Sequence, residues 1–316
     1  MTYLHDRFPA LRASLPRVAL GEGPTPVRPL PGLSDGLWLK DESPYGTLWG
    51  GNKVRKLEWI LPHAKGRGRR TILTFGALGT NHGLATALYA REQGLRCAIA
   101  LVDQPMDDHV RAQLARLHSS GATLHRTHTK ALTVAAVPWL LARHRKPYVL
   151  AAGGSSPVGA LGYVETAFEI AAQVRDGELP EPARVAVAVG SGGTAAGLLL
   201  GLRLAGLRTK VLAVVVNDTL KLDHATLTRL ARRSARLLRK RGADVPDPEP
   251  GDLTVTREWL GGGYGHATPE SERAIALARE KEGLQLDPVY TAKAMAGALE
   301  VDEREPLLYL HTHGPR

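Results

Sequence analysis

The chain has 316 residues, of which 43% are hydrophobic and 23% charged, and its formal net charge is +10. These values exclude a disordered chain and indicate a folded protein of one or two domains. No uncharged apolar run reaches the roughly 18 residues that a membrane span needs, and no leader-like segment opens the sequence. We therefore predict a soluble, cytoplasmic protein that binds no membrane.

Taken in chain order, the first 49 residues look loop-like, and apolar runs then alternate with helical stretches. This alternation predicts an α/β fold on parallel sheets, with domain boundaries near residue 55 and near 152–160. Several predicted helices end at a glycine, as helix C-caps often do. The predicted strands are residues 71–75, 97–102, 147–151, 184–189 and 210–216, and the predicted helices are 82–94, 108–121, 133–145, 159–177 and 193–206.

Two features have plain structural interpretations. Residues 228–244 predict an amphipathic basic helix whose arginines face solvent. No nucleic-acid-binding motif or interleaved aromatic pattern accompanies it, so we predict no nucleic-acid partner. The single cysteine, Cys97, lies in an apolar run and indicates a buried strand residue; it also excludes an intramolecular disulfide.

The strongest local signal is the segment RVAVAVGSGGTAAG, in which an apolar strand enters a glycine-rich turn and then a helix. Backbone N–H groups at such a helix start, with the Ser191 and Thr194 hydroxyls, favour an anion site over a purely structural turn. The spacing also fits a loose dinucleotide fingerprint with Asp218 as its acidic residue. The absence of Gly-Lys-Ser/Thr excludes an ATP-type phosphate loop.

Other segments give weaker indications of a binding site. Residues 73–90 place Thr80 and Asn81 at a helix start, where they either cap the helix or bind a carboxylate. Residues 151–167 again join a Gly/Ser turn to a helix. Tyr264 lies in a glycine-rich loop, and Tyr290 precedes a predicted helix, although a lone tyrosine is more often a core residue. The histidine spacings complete no metal site, so we predict no metal.

These segments occur in one order together with GGNK and VRKLE at residues 50–58 and YTAK at 290–293. Together they resemble the pyridoxal-phosphate enzymes of fold type II, and within them the D-cysteine desulfhydrase and 1-aminocyclopropane-1-carboxylate (ACC) deaminase group. The resemblance runs from about residue 20 to 314. It implies a tryptophan synthase β-like fold with three-layer domains, formed by residues 1–55 and 156–316 and by residues 56–155. It also implies a homodimer and a small amino-acid substrate.

The resemblance also implies residue roles. Lys53 would form the Schiff base with the cofactor, whereas Lys56 is interpreted as a surface lysine. Asn81 would face the cofactor ring, Thr80 would bind the substrate carboxylate, and Thr291 would face the pyridine nitrogen. Tyr264 and Tyr290 would line the substrate side as acid/base or orienting groups. The phosphate would be held by Gly190, Ser191, Gly192, Gly193 and Thr194.

Several positions bear on the substrate. ACC deaminases have Glu where this chain has Thr291, and a hydroxyl is expected to leave the ring nitrogen neutral, which favours loss of a β substituent such as thiolate. The family usually has Ser at Thr80 and Gly at Ala292, and it reads HTGG where this chain has His313. Three alternatives to D-cysteine desulfhydration stay open: ACC ring opening, a cofactor-binding protein that the changes at Thr80 and His313 have made inactive, and a nicotinamide-dependent oxidoreductase using the 190–194 loop.

Overall fold

The computed structural model describes residues 2–301 and 305–313, with His109 described by its backbone alone. The N-terminal segment is more ordered than its sequence indicates, so the loop-like interpretation is wrong. It contains two short helices, α1 (Tyr3–Arg7) and α2 (Leu11–Ser14), and two strands, β1 (Val27–Pro29) and β2 (Leu37–Asp41).

The remaining elements alternate as the sequence predicts. They are α3 (Asn52–Gly66), β3 (Thr71–Ala77), α4 (Asn81–Glu92), β4 (Arg96–Val102), α5 (Asp108–Ser119), β5 (Thr123–His128), α6 (Lys130–Arg143), β6 (Tyr148–Val149), α7 (Pro157–Arg175), β7 (Arg184–Val189), α8 (Gly193–Leu204), β8 (Lys210–Val215), α9 (His224–Lys240), β9 (Leu253–Thr256), α10 (Pro269–Glu282), α11 (Thr291–Leu299) and β10 (Leu307–His311).

The strands form two sheets. The first has the order β1-β2-β10-β7-β8-β9, and the second has the order β5-β4-β3-β6. Every pairing is parallel except that of β1 with β2. Strand β10, last in the chain, lies between β2 and β7, so both chain ends build the centre of the first sheet. Ligands of such sheets bind where the strands end at their carboxyl edge.

All five predicted strands and all five predicted helices are present, with ends shifted by a few residues, and the α/β fold class is confirmed. Residues 147–151 yield only the two-residue strand β6. The predicted loop at 241–253 ends in a short 3₁₀ turn that leads into β9. The strands of the second sheet all lie within residues 56–155, but α3 crosses residue 55, and the domain boundaries stay a prediction.

Helix α8 packs unusually closely on α7, which fixes the site described below. A Cβ added at Gly197 would lie 2.3 Å from the backbone oxygen of Ala160, and one added at Gly201 would lie 2.7 Å from Val164. Small residues therefore let the two helices touch through their backbones. The two contacts follow the same order along both helices, so α7 and α8 run parallel and the Gly/Ser turns before them lie together.

Other predictions concern the periphery. Helix α9 buries Leu227, Ala231 and Leu238 and turns most of its arginines to solvent, as predicted. Cys97 is 6% exposed in β4, and burial raises the pKa of its thiol to about 12. Within residues 2–301 and 305–313, no helix is long and apolar enough to cross a membrane. The same residues contain no cluster of three or more His, Cys, Asp or Glu suited to a metal.

Candidate active site

Lys53 lies in the first turn of α3, two residues after the Gly51 N-cap, whose φ of 89° suits only glycine. Its ammonium donates to Asn52 Oδ1 at 2.6 Å. Burial lowers the pKa of this amine to about 8, against the opposing charge of Asp287. A larger fraction of Lys53 is therefore neutral near physiological pH than of an ordinary lysine, and the neutral amine is the form that attacks an aldehyde.

Lys56 is only 2% exposed, so its interpretation as a surface lysine is wrong. Its Nζ donates to the backbone oxygen of Gly153 at 3.1 Å. Burial and the charge of Lys53 hold the pKa of this amine well below its usual range. The spacing of three residues from Lys53 was the available signal, because residues i and i+3 share a helix face.

A buried ionic network fixes the helix that carries both lysines. Arg55 donates from Nη1 to Glu169 on α7 at 2.7 Å and from Nε to Glu42 after β2 at 2.8 Å. Lys40 on β2 donates to the same Glu169 at 2.7 Å. Breaking one partner of such a network leaves a buried charge uncompensated. The network therefore holds the start of α3 against the first sheet, and no sequence pattern pointed to it.

The residues predicted to bind phosphate meet at the start of α8. Gly192 is the N-cap in the left-handed conformation, so this helix has no cap from the side chain of its own N-cap residue. Ser155, from the turn before α7, donates to Ser191 Oγ at 2.9 Å and accepts the Gly193 N–H at 2.8 Å. Thr194 Oγ1 accepts from Asn52 at 3.3 Å. The predicted loop is thus joined by Ser155 and Asn52, which the sequence patterns did not single out.

The backbone around this point forms a cradle that side chains would fill. A Cβ on Gly153 would lie 2.1 Å from Ser191 Oγ, and one on Gly193 would lie 2.7 Å from Ser155 Oγ and 3.2 Å from Lys56 Nζ. A helix start with glycine at its N-cap, nearby hydroxyl groups and a buried amine that can take a proton suit a phosphate group. The residues present therefore fit the phosphate of the cofactor.

His82 provides a second observation that the site is built for a ligand. Thr74 Oγ1 donates to the Leu150 carbonyl at 3.0 Å, so it accepts from His82 Nε2 at 3.1 Å. The ring proton is then on Nε2, and the buried Nδ1 has no hydrogen-bond partner among the described residues. Burial and the charges of Lys53 and Lys56 lower the pKa of this imidazole. An unpaired buried acceptor near two lysines favours an added donor.

Helix α4 begins differently from α8. Thr80 is its N-cap, and its hydroxyl accepts the Gly83 N–H at 3.1 Å, so the capping interpretation is correct. Asn81 Oδ1 accepts a short hydrogen bond from the buried Gln113 on α5. The Asn81 side chain is thereby held in place by α5. Roles of Thr80 and Asn81 toward substrate and cofactor stay predictions.

The two predicted tyrosines are in direct contact. Their hydroxyls share a short hydrogen bond, and their rings meet edge to face at 5.9 Å between centroids. Tyr290 also packs on the loop of residues 190–194, since a Cβ on Gly190 would lie 2.8 Å from its ring. Burial raises the pKa of both phenols. Both tyrosines therefore keep their protons at neutral pH and can relay one.

Thr291 is buried at the first position of α11, and its hydroxyl is engaged by a residue that the sequence patterns did not single out. Its Oγ1 donates to Asp287 Oδ2 at 2.6 Å and accepts the Asp287 N–H at 2.7 Å. Ala292 beside it is fully buried. His313 is half-buried, and Gly314 lies outside the described residues.

Asp218, which the dinucleotide interpretation requires as a ribose ligand, has another contact. Its carboxylate accepts the Tyr264 N–H at 3.0 Å and lies against Gly263. Asp218 therefore supports the loop that presents Tyr264. This contact explains the residue without a nicotinamide cofactor.

Curated relatives resemble the chain over nearly its full length. It is 34% identical to a D-cysteine desulfhydrase of Klebsiella pneumoniae (strain 342), over 95% of this chain and 94% of the relative. It is 32% identical to a putative 1-aminocyclopropane-1-carboxylate deaminase of Pyrococcus abyssi, over 98% of this chain and 95% of the relative.

Solved structures also resemble the chain over nearly its full length. The crystal structure of an ACC deaminase homologue matches with a TM-score of 0.82 and 32% identity, over 98% of this chain and 95% of that one. A threonine deaminase of T.th. matches with a TM-score of 0.66 at 22% identity, over 99% of this chain and 98% of that one, and this match supports the fold alone. The family described as pyridoxal-phosphate dependent enzyme matches residues 18–312. The predicted resemblance, fold type and cofactor are confirmed, and the chain belongs to the pyridoxal-phosphate-dependent enzyme family.

Proposed function

We propose that this protein is a pyridoxal-phosphate-dependent lyase that eliminates the β substituent of a small amino acid, with D-cysteine as its substrate. The observation that carries the proposal is the placement of Lys53 near Lys56 on one helix face, with the Tyr264–Tyr290 pair packed on the phosphate loop. The relatives named as D-cysteine desulfhydrases support the choice of substrate.

The residues divide into a phosphate end and a substrate end. Gly190, Ser191, Gly192, Gly193 and Thr194 would hold the phosphate, with Lys56 supplying the positive charge. Asn81 would contact the cofactor ring and Thr291 its nitrogen, while the start of α4 at Thr80 would bind the substrate carboxylate. The phosphate assignment is supported by the glycine N-cap of α8 and by the buried amine of Lys56.

When bound, pyridoxal phosphate withdraws the electron pair left on the α-carbon as its proton is removed. Lys53 is suited to take that proton, because burial keeps its amine partly neutral. The protonated tyrosine pair is suited to donate to the departing thiolate. The balance is D-cysteine plus water to pyruvate, ammonia and hydrogen sulfide, with no oxidant or reductant consumed.

ACC ring opening is the second candidate, because relatives include a putative ACC deaminase and a solved ACC deaminase homologue. It yields 2-oxobutyrate and ammonia without sulfide. The products therefore separate the two reactions in a single assay.

The test is a substrate panel with the purified chain loaded with pyridoxal phosphate. D-cysteine, L-cysteine, D-serine and ACC are supplied, and pyruvate, 2-oxobutyrate and sulfide are measured, with Lys53→Ala as the inactive control. We expect pyruvate and sulfide in equal amounts from D-cysteine. Formation of 2-oxobutyrate alone would support ACC ring opening, and turnover of no amino acid would identify a binding protein without activity.

We also propose that the protein is a cytoplasmic homodimer with domains formed by residues 1–55 and 156–316 and by residues 56–155. The family resemblance supports the homodimer and the two domains. Sedimentation equilibrium tests the dimer, and limited proteolysis tests the domain limits.

A further inference from the structure

Asp287 has no part in the proposed reaction, yet its carboxylate organises the side of the site that carries Tyr290 and Thr291. Oδ1 accepts the N–H groups of Val289 at 3.0 Å and Tyr290 at 2.7 Å. Oδ2 accepts the Thr291 N–H at 3.0 Å and the Thr291 hydroxyl at 2.6 Å. Four donors thus converge on one half-buried carboxylate at the start of α11.

The Thr291 hydroxyl has one proton to donate, and its direction decides what Thr291 can offer a ligand. The 2.6 Å contact to Oδ2 is much shorter than the alternative 3.4 Å contact to the Asp287 carbonyl, so the proton points to the carboxylate. One lone pair of Oγ1 accepts the Asp287 N–H at 2.7 Å. The hydroxyl is left with a single free lone pair and no free proton.

Asp287 and Thr291 border the site. Tyr290, adjacent to Thr291, packs on Gly190 of the phosphate loop. The charge of Asp287 also acts on the Lys53 amine and on both active-site tyrosines. A change in the charge of this carboxylate therefore alters the electrostatic environment of the residues proposed to contact the cofactor.

We infer that Asp287 is a positioning residue that turns the Thr291 hydroxyl into a hydrogen-bond acceptor toward the cofactor's ring nitrogen, so that this nitrogen carries a proton. A hydrogen bond to an ionised group is roughly twice as strong as one between neutral groups. The carboxylate therefore keeps the Thr291 proton in competition with a neutral pyridine nitrogen. This reverses the expectation that a threonine here leaves the ring nitrogen neutral, and it rests on the proposed function, which places Thr291 at that nitrogen.

The test is ¹⁵N NMR of the full chain loaded with pyridoxal phosphate labelled at its ring nitrogen, referenced to free cofactor at acidic and alkaline pH. In the unsubstituted protein we expect the resonance at the pyridinium position. A resonance at the neutral pyridine position would overturn the inference. Absence of cofactor uptake, seen as absence of visible absorbance, would instead overturn the proposed function together with the inference.

Variants separate this role from folding. Asp287→Asn replaces one acceptor with an amide donor, which forces the Thr291 proton outward, so the resonance should move toward neutral pyridine. Thr291→Val should do the same by removing the acceptor, whereas Thr291→Ser keeps the hydroxyl and should keep the pyridinium position. If Asp287→Asn does not fold, the Thr291 pair decides: equal resonances in Thr291→Val and Thr291→Ser would overturn the inference.

The matched control is Asp223→Asn. Asp223 also caps a helix start, accepting the Thr226 N–H at 2.7 Å at the beginning of α9. This substitution removes the same charge from the same kind of position outside the site and should leave the ¹⁵N resonance unmoved. An equal shift in Asp223→Asn and Asp287→Asn would contradict a specific role for Asp287.

Discussion

Helices α4 and α8 begin alike in sequence but differ in how their first N–H groups are satisfied. Both follow a buried strand and a glycine-containing turn, and both have 12 residues. The start of α4 is capped by its own N-cap residue, Thr80. That of α8 has glycine at the N-cap, gives its Gly193 N–H to Ser155, and is bordered by the buried amine of Lys56. The amine can add a positive charge to the N–H groups at the start of α8, which raises its capacity for a strong anion. We therefore expect the phosphate at α8 and a smaller, exchangeable carboxylate at α4.

The largest expected effect comes from closing the cradle at α8. Gly153→Ala adds a Cβ that would lie 2.1 Å from Ser191 Oγ, at a φ of 68° that disfavours side chains. We expect the affinity for pyridoxal phosphate to fall about a hundredfold, or about 2.7 kcal/mol. Fluorescence titration of the apoprotein measures this.

Gly177→Ala is the matched control for that substitution. Gly177 has a φ of 77°, but an added Cβ meets nothing within 4 Å. It should lower stability by about 1 kcal/mol and leave cofactor affinity unchanged. Equal loss of affinity in both variants would show that the effect is general destabilisation.

Lys56→Met tests the difference between the starts of α8 and α4, because it removes the amine beside α8 and keeps the buried volume. Cofactor affinity should fall about tenfold, or about 1.4 kcal/mol, because a charge-assisted contact to phosphate is lost. The apoprotein should unfold at an equal or higher temperature, because a buried amine is costly without a ligand. Lys65→Met, at an exposed position of the same helix, should change neither quantity. Unchanged cofactor affinity in Lys56→Met would place the phosphate elsewhere.

Thr80→Ala tests the other helix start. Loss of the cap should lower stability by about 1 kcal/mol. It should raise KM for the amino acid about fivefold while cofactor affinity stays within about twofold, a smaller effect than that of Lys56→Met. Thr80→Ser keeps the hydroxyl and should restore both values. A loss of cofactor affinity as large as in Gly153→Ala would contradict the assignment of the phosphate to α8 and the substrate carboxylate to α4.

The smallest expected effect needs no substitution and concerns Lys53. Only the neutral amine reacts with acylating reagents, and it predominates above the pKa, so labelling of Lys53 in the apoprotein should rise through pH about 8. Lys281 is the comparison, because the neighbouring Glu280 raises its pKa and should move its labelling to higher pH. Peptide mass spectrometry reads both lysines in one sample. Coincident profiles would contradict the effect of burial on Lys53.

The predictable parts of the molecule are those encoded by neighbouring residues. The strand, turn and helix around 184–204 were correct because apolar runs and glycines act locally. The residues missed depend on distant partners. The sequence predicts a surface position for Lys56 because its burial depends on Gly153, a residue of the turn before α7 that is distant along the chain. Arg55 meets Glu42 and Glu169, which are 13 and 114 residues away along the chain.

The N-terminal strands were missed for a related reason. Strand β1 has only three residues, and β2 is completed by β10 from the far end of the chain. Pairing over that distance leaves no trace in a local window. The Asp287 contact with Thr291 is different, because a separation of four residues was within reach. It was missed because an aspartate followed by a proline is also typical of an ordinary turn.

We propose that Lys53, and not its buried neighbour Lys56, bonds to the cofactor. Reduction of the loaded protein with borohydride, followed by peptide mass spectrometry, fixes the cofactor on the lysine that holds it. We expect the adduct on Lys53 alone, and its loss in Lys53→Ala with Lys56 intact. An adduct on Lys56, or one that persists in Lys53→Ala, would show that Lys53 is not the lysine that bonds to the cofactor.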